Sequence, residues 1–377
     1  MKVSVATLDE IYQCRDSWNA LVDQMRHPVI FLTWEWLVSW LESSSEGYQP
    51  LILFVRDAHD ELVAILPLAR VRKRLEGMPL PVDAVTLCSS LECYPDHLDL
   101  ISPGNADAFL ALDACFDYLK RHRLASGVFY FPFLAEKGFL ASYLAAQRLR
   151  HLRVERVNTL VSPYVDLTGG YDSYVGAMSK KKRYNLSRER KILCEEHKAE
   201  LLGMNSAESL ATAIDTLFDL HAKRAQDKGL SSNFTGPSTI KFHQLLGTRL
   251  VESGRVRLYL LKIGQEVIAT VYGFLLHREF AFYQTGLDPA WKKYSPGKVM
   301  ISIVLEDLAA EGISLFDFLG GGDEYKQFWA TGSRKMDSFI VFNKTTAGVA
   351  SFLSFQAQRG AKRAWSYTAL IRKALLK

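Results

Sequence analysis

The same order of predicted elements runs twice through the chain, and this constrains the fold more than any single motif. In the first half, residues 8–25 carry Leu8, Ile11, Trp18, Leu21, Val22 and Met25 at helical spacing, and a short aromatic helix follows near 33–43. The apolar runs 50–56 and 61–70 flank a polar turn at Asp57–Asp60 and read as a strand pair. Strand-like pieces at 84–88 and 98–101, a helix at 105–122, a strand at 127–132, a helix near 136–148 and strands near 152–167 complete the half. The second half gives helices at 206–226 and 238–252, then a hairpin of 256–263 and 266–276 turning at Gly264–Gln265. A strand at 279–286, a helix at 296–311, a strand at 313–318, a short helix near 323–330 and a strand at 336–343 follow. No residue-level repeat accompanies this order. Between the halves, residues 170–198 read as one long polar helix.

This pattern predicts an α/β chain with mixed sheets. It divides into an N-terminal domain 1–168, a basic linker helix 169–204, a C-terminal domain 205–345 and a basic tail 346–377. The 377 residues are more than one compact core holds, which agrees with two domains. A hydrophobic share of 48% beside 23% charged residues excludes a disordered chain or a fibrous repeat. The net charge of +5 is unevenly placed. Residues 344–377 hold seven basic side chains and no acid, so the remainder is close to neutral. Double-stranded nucleic acid would ask for a wider basic surface. The five cysteines are scattered, without zinc spacing, and read as free thiols in a reducing cytosol, with an unpaired extracellular thiol as the alternative; no metal site is expected. Neither a signal peptide nor a run long enough to span a membrane is predicted.

The strongest local signal is Ser295-Pro296-Gly297-Lys298, between a strand and an apolar-striped helix. Ser295 suits the N-cap, where its oxygen accepts a backbone amide. Pro296 suits the first helical position, and Gly297 lets a ligand approach the free amides. Lys298 opposes the helix dipole in the first turn, which suits a bound anion better than it suits the helix alone. The segment reads either as a phosphate cradle or as a well-capped helix start.

Other residues also carry two readings. The run Lys180–Lys191 holds seven cations and one acid, Glu189. It is a solvated helix face, or it neutralises an anionic substrate, with Lys181, Arg188 and Lys191 on one side. His221 and Arg224 share a helix face, as a substrate-facing pair or as a surface or cap contact. Asp96, His97 and Asp99 cluster in the first half without a metal-ligand pattern. The aromatic and basic tail either packs across the domains or lies on an anionic membrane surface.

Residues 283–329 resemble the second domain of CelD-like, FemAB-like acyltransferases of the GNAT superfamily, found with bacterial polysaccharide pathways. The resemblance rests on Tyr283 to Asp288, Ser295-Pro296-Gly297, Gly312, Phe316 to Gly320, and Tyr325-Lys326 followed by Trp329. It extends to Lys180–Arg190, His221–Arg224, Trp34-Glu35-Trp36 and Asp96–Leu100. It implies two tandem GNAT-like domains joined by the basic helix, with the donor site in the second.

The resemblance further implies acyl-CoA, acetyl-CoA first, as co-substrate, with Lys292, Ser295, Gly297 and Lys298 at its pyrophosphate. GNAT enzymes commonly carry Arg/Gln-x-x-Gly-x-Gly/Ala there, whereas this chain reads Lys292-x-x-Ser295-x-Gly297, so an aminoacyl donor stays open. The donor would slot between the 279–286 and 313–318 strands, where Tyr283 either protonates a departing thiolate or is a core aromatic of the strand. Asp317 either satisfies backbone donors at a strand end or, like Glu324, holds or deprotonates the acceptor amine. Lys181, Arg188, Arg224, Asp96, Tyr325 and Lys326 are the candidate acceptor contacts. The implied function is N-acyl transfer to an amine on a saccharide or envelope precursor, in the cytoplasm, at the membrane's inner face if the tail binds lipid. The alternatives are a FemAB-type aminoacyl transfer from aminoacyl-tRNA, or a non-catalytic accessory protein of polysaccharide synthesis.

Overall fold

The computed structural model describes residues 1–375 except 44, 105–106, 125–126, 150–151, 205, 228, 230–233, 235 and 322–323, and gives the backbone alone for 361–375. The chain divides into two compact units: Met1–Trp34, Ser45–Leu160 and Lys335–Lys377 form the first, and Glu35–Ser44 and Val161–Arg334 form the second. The first half of the chain supplies β1 (Lys2–Val5), α1 (Leu8–Gln13), α2 (Arg15–Asp23), α3 (Trp34–Ser43), β2 (Tyr48–Arg56), β3 (Leu62–Lys73), β4 (Val82–Leu87), α4 (Asp107–Arg121), β5 (Val128–Ala135), α5 (Phe139–Ala145) and β6 (Arg153–Asp166). Then come α6 (Gly170–Ala177), α7 (Lys180–Arg190), β7 (Ala199–Met204), α8 (Ala207–Asp227), α9 (Pro237–Val251), β8 (Val256–Ile263), β9 (Glu266–Leu276) and β10 (Glu279–Leu287). The chain ends with α10 (Pro296–Ala310), β11 (Leu315–Asp317), α11 (Glu324–Trp329), β12 (Gly332–Phe342) and α12 (Thr346–Leu375).

In the first unit the strand order is β1-β2-β3-β4-β5-β12. The pairs are antiparallel except β4 with β5, which run parallel with α4 between them in sequence. Trp18, Phe54, Phe129 and Phe131 are fully buried in this unit. Phe352 and Phe355 of α12 pack on Phe342, so the start of the basic tail belongs to this unit's core.

In the second unit the order is β6-β11-β10-β9-β8-β7, again with one parallel pair, β10 with β11. One face of this sheet carries a core of Phe280, Phe282 and Phe316 under Val299, Met300, Val304 and Leu308 of α10. The other face meets α8 and α9, with an aromatic nest of Trp36, Phe234, Phe242, His243, Tyr272, Phe274 and Tyr283.

Three expected elements differ. The helix over 8–25 is two, because Cys14 leaves helical geometry after α1, which starts on a Thr7/Glu10 capping box. The long helix over 170–198 is interrupted at Met178–Ser179. There the backbone is extended, Ser179 accepts from Lys182 N–H as the cap of α7, and a π-helical turn over Lys191–Glu196 follows. The strand at 98–101 is reduced to two isolated bridges, Leu98 to Leu134 and Ile101 to Ile65.

Candidate active site

The site begins with a strand that outlasts its neighbour. β10 pairs with β11 over Glu279–Ala281 only, and β11 then ends at Asp317. Asp317 is fully buried and builds that ending. It accepts from Ser162 Oγ, from Leu319 N–H at 2.7 Å and from Arg334 Nη1 at 3.4 Å, and Leu319 turns with φ +57°. Arg334 also grips both oxygens of Glu279 at the start of β10, at 2.7 and 3.0 Å. The paired end of the two strands is therefore clamped, and past Ala281 β10 runs on beside β9 without β11.

The free edge of β10 presents particular amides. Gly286 N–H donates to Thr270 Oγ1 and Asp288 N–H to Ile268 O, both on β9. Successive amides in a strand point in opposite directions, so Thr285 and Leu287 direct theirs to the side β11 has vacated. In this structure Thr285 N–H donates to its neighbour's side chain, Gln284 Oε1, at 3.0 Å. A bulge between Phe282 and Gln284 resets the alternation just before these residues.

Past β10, Asp288 caps a 3₁₀ turn over Pro289–Tyr294 by accepting from Ala290 N–H at 2.9 Å. The chain enters α10 through Ser295, which sits in the left-handed region at φ +56°. This corrects the expected cap: the Ser295 side chain makes no cap bond, and its carbonyl instead accepts from Lys298 and Val299 N–H at 3.0 and 3.2 Å. Pro296 has no donor, so among the described residues Gly297 N–H is the amide of this turn left open. A Cβ at Gly297 would come within 3.1 Å of Leu287. The helix start offers one close-approach amide rather than a ring of them.

These pieces enclose a cleft of about 360 Å³ within the second unit. Its walls are Thr285 and Leu287 of β10, the turn from Asp288 to Lys298, Ile301, Arg224 and Asp227 of α8, and Tyr325, Phe328 and Trp329 of α11. The rim cations are largely answered. Lys292 lies 3.5 Å from Asp227, Lys223 lies 3.4 Å from Asp288, and Lys298 lies 2.9 Å from Glu189. Arg224 has no acid partner among the described residues. Its charge, after burial, helps hold the neighbouring His221 below the usual histidine range.

Of the residues singled out in the sequence, the cleft gathers Lys292, Ser295, Gly297, Lys298, Arg224 and Tyr325. Asp317 lies outside it, committed to the β11 turn. Tyr283 sits in the aromatic nest, 5.7 Å from Trp36 and 5.3 Å from His243 between ring centroids. Glu324 is exposed at the start of α11, while Gly322 and Asp323 lie outside the described residues. Lys326 is buried and donates to Leu319 O at 3.2 Å and Gly320 O at 2.8 Å, closing the turn from within. Lys181 and Arg188 are exposed on α7, and Asp96 is buried in the first unit. Among the described residues no group of three or more His, Cys, Asp or Glu is placed to hold a metal, and no helix is long and apolar enough to cross a membrane.

Sequence reasoning passed over Thr285, Phe328 and Glu189. Phe328 was accessible to it, since Tyr325, Phe328 and Trp329 fall on one face of a short helix. Glu189 had a fainter signal, as the one acid in a run of seven cations.

A family model described as an acetyltransferase (GNAT) domain matches residues 180–327, a stretch that holds β10, α10, β11 and most of α11. No curated protein matches the chain. Among solved structures, FemX superposes with a TM-score of 0.60 at 10% identity, covering 89% of this chain and 97% of that one. A conserved protein of unknown function from Bacteroides thetaiotaomicron gives 0.56 at 12% identity, over 91% and 100%. The C-terminal domain of a protein named as a lysylphosphatidylglycerol synthetase, from Agrobacterium fabrum, gives 0.53 at 10%, over 91% and 96%. At these identities the structural likeness shows the fold alone. Residues 180–327 thus match a GNAT acetyltransferase domain, and the chain as a whole has a fold like that of FemX.

Proposed function

We propose that the protein is an N-acyltransferase that moves an acyl group from acyl-CoA, acetyl-CoA first, to an amine on an amino sugar or another precursor of the cell envelope or an exopolysaccharide. The observation that carries the donor half is the open edge of β10 beside the α10 turn. Leu287, Ile301, Phe328 and Trp329 give the pantetheine arm an apolar wall. Gly297 N–H and Arg224 face the diphosphate, with Lys292 and Lys298 beside it. Thr285 N–H receives the thioester oxygen once Gln284 swings away, and stabilises the negative charge that gathers there.

The acceptor amine, in its neutral form, attacks the thioester carbon. A C–N bond forms, the C–S bond breaks, and the amine's proton leaves as the thiolate is protonated. Tyr325, the tyrosine that lines the cleft, is the nearest candidate for that last proton. No protein side chain needs to be acylated, because holding both reactants in place supplies much of the acceleration. The acceptor class rests on the sequence resemblance, with Lys181 and Arg188 as exposed cations on α7 for an anionic acceptor. This reading places the enzyme in the cytoplasm, with its basic tail as a contact to the inner face of the membrane.

The test is a mass-spectrometric search for acylated product after incubating the protein with acetyl-CoA and a panel of amino sugars and nucleotide-linked amino sugars. The expected result is an N-acetylated panel member with matching release of coenzyme A thiol. Binding of acetyl-CoA without product from any amine would turn the reading toward an accessory protein. Product only from aminoacyl-tRNA would replace the donor.

A further inference from the structure

The single acid of α7 is set against the single lysine of α10. Glu189 Oε1 accepts from Lys298 Nζ at 2.9 Å, and both side chains are largely withdrawn from water, 16% and 29% exposed. The second carboxylate oxygen, Oε2, is buried with no hydrogen-bond partner among the described residues. A pair retained for stability alone would satisfy that oxygen as well, since an unanswered buried carboxylate oxygen is costly. Lys298 also lies over the Phe328 ring at 5.2 Å, which keeps its ammonium at the cleft wall. The other two rim pairs differ in kind, because Lys292 and Lys223 are mostly exposed and their pairs are weak.

We propose that Glu189 is a resident counter-anion of the donor site, competing with the donor's diphosphate for Lys298 and so lowering the hold on coenzyme A. The inference rests on the donor reading above. A diphosphate entering beside Gly297 meets an ammonium that is already neutralised and a carboxylate that repels it at low local dielectric. Removing the carboxylate's charge therefore strengthens binding of a ligand that carries the diphosphate. It leaves a ligand without phosphate unchanged, because such a ligand has no use for Lys298. The consequence for turnover is that spent coenzyme A leaves faster than it would from an unopposed lysine.

The experiment measures binding of acetyl-CoA and of S-acetylpantetheine, which has no phosphate, to the full chain and to Glu189→Gln. The expected result is acetyl-CoA binding about tenfold tighter in the variant, with S-acetylpantetheine unchanged. Lys298→Met supplies an independent arm: with the ammonium gone the carboxylate faces the anion alone, and acetyl-CoA weakens by about tenfold or more while S-acetylpantetheine holds. Acetyl-CoA binding that is unchanged or weaker in Glu189→Gln overturns the proposal. So does a shift of equal size for both ligands, which would mark a general structural role. An unmodified protein that binds no acetyl-CoA at all sinks the donor reading itself, a different result from either.

Discussion

His243 shows how far burial governs single residues in the second unit. It lies inside the aromatic nest at 1% exposure, with Nδ1 at 3.3 Å from Tyr272 Oη and Nε2 unpartnered among the described residues. Burial pushes its pKa down from 6.5 to about 3, so it stays neutral at any working pH. In the unfolded chain it takes up a proton below about pH 6.5, so between there and pH 3 the unfolded state binds more protons. Stability from this residue is complete above pH 6.5 and is lost as pH falls toward 3. Between pH 7 and pH 5 the protein should lose about 2 kcal/mol through His243. Urea unfolding of His243→Leu should show a drop smaller by that amount, and an equal drop in both proteins would refute it. This histidine was not legible beforehand, because nothing in its local pattern separates a nest from a helix surface.

At the scale of elements, the decisive feature is where β11 stops. The sequence made the strand pair and the helix between them readable, through the alternating run 279–286 and the apolar stripe of 296–311. It also offered Asp317 in two roles, and the structure places it in the turn that ends β11. Asp317→Ala should therefore cost about 2–4 kcal/mol, since it strands the Ser162 hydroxyl, Leu319 N–H and a guanidinium contact. A midpoint shift in chemical denaturation checks this. A variant as stable as the parent but slow in acyl transfer would return Asp317 to the chemistry. The bulge at Phe282–Gln284 and the break at Ser179 were not legible in the same way. A bulge leaves no compositional mark when aromatics stand on both sides of it, and polar α7 has no apolar stripe whose phase could reveal a restart.

At the scale of the whole molecule, the two units share an element order but only one keeps its edge open. In the first unit, β4 ends at Leu87 beside Leu68 of β3. The chain then returns, and Leu98 bridges to Leu134 of β5 while Ile101 bridges to Ile65 of β3. The sheet position beyond β4 is thus filled by residues 98–101. Asp99 fixes the refill by accepting from Phe139 and Leu140 N–H, both at 2.7 Å, at the start of α5. The duplication of element order was legible from periodicity; the filling of one copy was not, because it depends on two bridges from a segment that reads as an ordinary short strand.

On the proposed function, one thioester site per chain is expected, in the second unit. Titration calorimetry with acetyl-CoA tests this directly, on the parent protein and on Gly297→Trp, whose indole would fill the cleft. The expected result is a stoichiometry of one in the parent and loss of binding in the variant. Two sites, no binding by the parent, or an unchanged titration in Gly297→Trp would contradict it.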